Sequence, residues 1–191
     1  MRLMGGRLCL DFLNTNAFRS GTPREWLTTY DQLLTFAART AALEPAELET
    51  LRGVSLEHPK QAAAVTELAR TWREALYNAV VRSPAQTDLQ TLNAVIAAAH
   101  THRQLSHTQD GYAWTWTAPH LELPLWAIAL DAAALLADGL ATRVRTCPGH
   151  DCGWVFLDAG RGKPRRWCAM DLCGNRAKIK EFRSKHQVKQ S

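Results

Sequence analysis

The chain has 191 residues, 46% of them hydrophobic and 21% charged, enough apolar material for a medium domain plus a small module and too much for a disordered chain. Asp131 and Asp138 interrupt the longest apolar stretch, which excludes a membrane span of about 18 residues, and the N-terminus lacks the basic-then-apolar pattern of a secretory signal. The net charge of +5 is unevenly held: residues 1–142 carry 11 Lys/Arg against 14 Asp/Glu, whereas residues 143–191 carry 12 against 4, so a polyanionic partner is expected for the C-terminal part alone.

Residues 5–16, GGRLCLDFLNTN, form a dense apolar run that reads as a short strand or as the first turns of a helix. Asp11, Asn14 and Thr15 are polar groups embedded in it. They are candidates for a small-molecule pocket, or for the capping and backbone satisfaction such residues usually provide. Thr22-Pro23-Arg24-Glu25 reads as a helix start, followed at helical spacing by Trp26, Tyr30, Leu33, Leu34 and Ala37. Pro45 opens a short helix through Leu51 that Gly53 is expected to close. Residues 60–82 make a long helix with Val65, Leu68, Trp72, Leu76 and Val80 on one stripe, and residues 86–100 make another with Leu89, Leu92, Ile96 and Ala99. The period then changes to two around Asp110-Gly111, predicting antiparallel strands near 103–109 and 112–118. Residues 125–141 return to a Leu- and Ala-rich helix. Trp26, Trp72, Trp114, Trp116 and Trp126 either line a cavity or, as is commoner for aromatics at such spacing, fill the core.

Cys147, Cys152, Cys168 and Cys173 read C-x4-C-x15-C-x4-C, while the fifth cysteine, Cys9, lies far away in an apolar run. Four thiols in two close pairs suit one tetrahedral zinc ion in a closed, structural site, and they point to a reducing compartment, the cytoplasm. His150 and His186 stand nearby, but four cysteines already complete the set. The spacer suggests a hairpin, with an apolar strand Trp154–Leu157, a turn at Asp158-Ala159-Gly160 and a basic strand from Arg161 to Trp167. Trp154 and Phe156 share one face. A helix should follow Cys173, with Ile179, Phe182 and His186 packing on the hairpin and Arg176, Lys180 and Arg183 on a neighbouring face. Knuckle, hairpin and a helix bearing the last ligands make a treble clef, and the ion should supply its folding energy. The expected fold class is mainly α: a helical N-terminal domain (1–142) with a small antiparallel β-hairpin, then a treble-clef-like zinc module (143–191) of hairpin and helix.

The basic residues of the module, Arg161, Lys163, Arg165, Arg166, Arg176, Lys178, Lys180, Arg183, Lys185 and Lys189, are candidates for phosphate contacts. Asn175 and Arg176 have the chemistry to read adenine and guanine edges, and Arg176 could equally brace the knuckle. His120-Leu121-Glu122 carries part of a zinc-deaminase signature, but Cys147-x4-Cys152 has the wrong spacing and leaves Cys168 and Cys173 unused. No nucleophile–base pair or phosphate-cradling glycine loop is present, so no enzymatic activity is expected.

Cys147 through Arg176, above all Cys173-Gly174-Asn175-Arg176, resembles the CGNR-type zinc finger. Gly5-Gly6-x-Leu8-Cys9-Leu10-Asp11-Phe12-x-Asn14-Thr15 is similar to the opening of the ABATE domain that precedes this finger in bacterial proteins. The resemblance implies a stress-induced transcription regulator with a DNA-binding finger and an N-terminal sensor domain. It implies duplex DNA as partner and a small-molecule effector for the sensor domain; a homodimer is one arrangement by which DNA regulators read paired half-sites, and no membrane partner is expected. The alternative is an RNA-binding or protein-interaction zinc module without DNA specificity.

Overall fold

The computed structural model describes residues 2–109, 111–160, 162 and 164–187, the last three by backbone alone. In chain order its elements are α1 (Leu8–Leu13), β1 (Asn16–Ala17), β2 (Arg24–Glu25), α2 (Tyr30–Arg39), α3 (Pro45–Glu57), α4 (Pro59–Val81), α5 (Gln86–Thr101), β3 (Arg103–Thr108), β4 (Gly111–Trp116), α6 (Leu123–Ala137), β5 (Val144–Thr146), β6 (Val155–Leu157) and α7 (Asn175–Gln187). A single 3-10 turn precedes β5, and a π-type turn, Met170–Gly174, precedes α7. The fold is mainly helical with three small antiparallel ladders, as the sequence patterning requires. The chain divides into two compact units, Leu27–Ala141 and the combination of Met1–Trp26 with Thr142–Ser191.

The Leu27–Ala141 unit is built from α2 to α6. Its core is a set of fully buried aliphatic and indole groups, among them Leu33, Leu34, Leu51, Trp72, Leu76, Leu125, Trp126 and Ile128. Burial of each such side chain is worth roughly 1.5–3 kcal/mol. On α5 the buried stripe runs Leu92, Val95, Ala99, while Leu89 is 39% exposed. The expected helix start at Pro23 is corrected: Arg24–Glu25 pairs with Asn16–Ala17 as a strand, and α2 begins only after Thr29. There Gln32 N donates to Thr29 Oγ1 (3.3 Å) and Thr29 N donates to Gln32 Oε1 (3.0 Å), the reciprocal cap expected at Thr22. Gly53 does not close its helix; α3 continues through it to Glu57, because Gly53 lies on an open face where a helical turn costs only its entropy.

In the hairpin, Arg103 pairs with Trp116 and Thr108 with Gly111 at the two ends of a continuous register. Trp116 lies 5.9 Å from Trp126, ring to ring, and the Arg103 guanidinium sits 4.0 Å over Trp114. The five tryptophans do not share a cavity: Trp72 and Trp126 are core, Trp114 is 59% exposed on the hairpin, and Trp26 belongs to the other unit. His120 stacks on Trp126 at 4.6 Å, and Glu122 Oε2 accepts from Trp126 Nε1 at 3.0 Å, so both residues of the His-x-Glu motif are engaged around one buried indole.

In the second unit, α1 packs on β6, and β6 pairs with β5 from Val144↔Leu157 to Thr146↔Val155. This corrects the expected hairpin: the partner of the apolar strand is the segment before Cys147, not the basic stretch after it. Pro164 has no N–H to give a ladder, and Arg165 turns inward, so residues 164–167 form no strand. The outer edge of β6 is covered from the N-terminus, where Leu157 N donates to Gly5 O (2.8 Å) and Asn14 bonds both backbone groups of Val155 (2.9 Å each).

Candidate metal centre and basic face

The β5–β6 hairpin fixes the first ligand pair. Cys147 N donates to Trp154 O (2.7 Å) where the strands end, and Cys152 N donates back to Gly149 O (3.0 Å), closing the C-x4-C loop. Gly149 must be glycine here, since a Cβ would lie 2.8 Å from Cys173 Sγ and 3.2 Å from Cys152 Cβ. The second pair comes from the far side of the spacer. Cys168 N donates to Cys147 Sγ at 3.3 Å, tying the two halves together, and the π-type turn carries Cys173 into the same place.

All four cysteines are buried, and their sulfurs lie within 4.8 Å of one another. The Cys152–Cys168 and Cys168–Cys173 sulfurs are 3.7 and 3.6 Å apart. A zinc ion with Zn–S bonds of about 2.3 Å at tetrahedral angles needs sulfurs about 3.8 Å apart. The geometry therefore fits one zinc ion, and the four cysteines are positioned to hold it. Four protein ligands leave no open coordination position, which makes the site structural. His150 stays outside the set; its Nδ1 meets Asp151 Oδ2 at 2.7 Å.

The electrostatics suit a cation. Hydrogen bonds from Cys152 and then Cys168 hold the Cys147 thiol down to about 2. The hydrogen bond with Cys147 pushes Cys152 up to about 12, and the same neighbour raises Cys168 further. The Cys147 thiolate thus keeps Cys152 and Cys168 protonated, and a bound cation is what lets these three ionise together.

Phe156 packs against the sulfurs with Met4, Trp154 and Trp167 around it, so the shared face read for Trp154 and Phe156 is the face that shields the metal site. Arg165 lies 4.4 Å over the Phe156 ring and donates from Nε to Trp167 O (3.0 Å) and from Nη2 to Met4 O (3.0 Å) and Cys168 O. Its guanidinium is a strut of the module, which sets it apart from the other phosphate candidates. Nothing in the sequence marks it, since its neighbours Arg161, Lys163 and Arg166 have the same composition and context.

Arg166, Asn175, Arg176, Lys178, Lys180 and Arg183 are exposed, and Arg176, Lys180 and Arg183 form one stripe on α7. Asn175 Nδ2 reaches Asp171 O at 3.5 Å. Arg161, Lys163 and Lys189 lie outside the described residues, as does the side chain of Lys185. Ile179 and Phe182, expected to be packed, are 52% and 63% exposed on α7. Asp11, Asn14 and Thr15 are buried, and their polar atoms serve the backbone. Asp11 Oδ1 accepts from Met4 N (2.6 Å) and Gly5 N (2.7 Å), Asn14 clamps β6, and Thr15 Oγ1 donates to Phe12 O (2.7 Å). The sequence reading missed that this cluster supports the metal module; Asn14 and Val155 are 141 residues apart, beyond the reach of any local pattern.

Fold and site together define a helical protein carrying a closed four-thiolate zinc finger. The ABATE family, described as "Putative stress-induced transcription regulator", matches residues 6–139, and the CGNR zinc finger matches residues 143–186. The chain belongs to the ABATE family. No curated protein matches it. Relative to those sequence ranges the structure groups differently at one end, since Met1–Trp26 clusters with Thr142–Ser191. Among the described residues, no helix is long and apolar enough to cross a membrane.

Proposed function

We propose that this protein is a cytoplasmic, non-enzymatic transcription regulator that grips duplex DNA through its zinc finger, with the helical part responding to stress or to a small-molecule effector. The observation that carries the reading is the cationic stripe Arg176, Lys180 and Arg183, exposed on a helix whose start is fixed beside the four-thiolate cage. Charges mounted on a backbone fixed by a structural ion are suited to a regular polyanion, because the backbone has little ordering entropy left to lose on binding. The family's description supports the regulatory role.

Salt titration of duplex binding tests it. If six phosphates are neutralised, log K should fall against log salt with a slope of about −5. Replacing Arg176 and Lys180 together by alanine should flatten that slope by about two. Stoichiometric metal without any salt-sensitive affinity for duplex DNA would defeat the reading, and single-stranded RNA winning a direct competition would replace it with the RNA-binding one.

A further inference from the structure

A cavity of about 520 Å³ lies beside the metal cage, between the first cysteine loop and α7. Pro148, Ala177 and the indole of Trp167 line it together with His150, Arg176 and Lys180. Its size exceeds what a bare phosphate fills and falls in the range of sites for small organic groups, roughly 300–1,000 Å³. Arg176 and Lys180 are four apart on one helix and so serve the same side of it. A third cation, Arg166, lies 4.9 Å over the Trp167 ring.

A paired duplex offers phosphates to such cations, but its bases stay stacked, and it has nothing to place in a cavity walled by an indole. An unstacked nucleotide has both parts: a π face for the indole and a phosphate one sugar away for the cations. We infer that this cavity receives one unstacked nucleotide, its base against Trp167 and its phosphate between Arg176 and Lys180. The inference rests on the nucleic-acid reading above and narrows its target to a duplex with an unpaired or extruded base.

The test compares the full-length, zinc-loaded protein on two duplexes of one sequence, one fully paired and one bearing a single unpaired 2-aminopurine. Binding is followed by anisotropy at fixed salt, and the 2-aminopurine emission is recorded in parallel. The bulged duplex is expected to bind about five- to a hundredfold more tightly, the worth of one base–aromatic stack, with its emission quenched. Ala177→Leu fills the cavity while leaving every cation and cysteine in the chain, and it should collapse the bulged-to-paired ratio toward one at unchanged zinc content. Should that variant lose zinc, Lys180→Gln on the exposed face of α7 serves instead and should weaken the bulged complex more than the paired one. Equal affinity for the two duplexes with unchanged emission overturns this inference and leaves the duplex reading intact. A ratio that survives Ala177→Leu in a zinc-loaded protein also overturns it. Absence of salt-sensitive binding to either duplex overturns both.

Discussion

The sulfurs of Cys147, Cys152 and Cys168 sit too close together to ionise at once without a counterion. With Cys147 held ionised by its neighbours, Cys152 and Cys168 keep their protons throughout the neutral range. A zinc ion coordinated by four thiolates must therefore displace protons from at least those two. Its affinity should rise with pH by about a hundredfold per unit across that range and fall as acid returns protons to the sulfurs. Calorimetric zinc titrations in buffers of differing ionisation enthalpy measure the release directly, and an affinity independent of pH would contradict the four-thiolate assignment. Arg165 shows how far chemistry at this scale is hidden from composition. One arginine in a basic run is spent on three carbonyls and a phenyl face, while Arg166 beside it remains exposed.

Among the elements, β6 decides whether the cage has a base. Its inner edge pairs with β5, and its outer edge would be open without the N-terminal segment. Asn14 covers that edge with an amide that both donates to and accepts from Val155. Asn14→Ala strands two buried backbone groups and should destabilise the protein by about 2–4 kcal/mol in urea unfolding. Parental stability in that variant would mean that the clamp contributes nothing. Helices α2 to α7, the β3–β4 hairpin and the ligand set were legible in the sequence because each rests on local period or spacing, whereas α1 was too short for its period to tell strand from helix. The start of α2 was misread because two cap signals compete within eight residues and only one can set the register; Thr29 with Gln32 prevails. Ile179 and Phe182 have the spacing of a buried stripe, yet more than half of each remains exposed, because spacing shows which residues share a face and not how deeply that face is buried. The partner of β6 and the role of Asn14 were illegible for one reason, that both depend on chain segments brought together only by folding.

At the scale of the molecule, the metal site and the first 26 residues belong to one compact unit, and the five helices α2 to α6 form the other. In the metal-bearing unit, Phe156 with Met4, Trp154 and Trp167 packs directly on the four cysteines, so the stability of this part should follow the ion. Cys168→Ser should release zinc and expose residues 1–26 together with 142–191 to hydrogen exchange, while the helices of the Leu27–Ala141 unit keep their protection. Retained zinc in that variant would remove Cys168 from the ligand set; loss of protection throughout would show that the helical unit does not stand alone. Both the basic stripe and the cavity beside it depend on the cage for their shape. The most direct test is the metal content of freshly isolated, folded protein by elemental analysis: one zinc per chain is expected, and correctly folded protein without any transition metal would contradict the account.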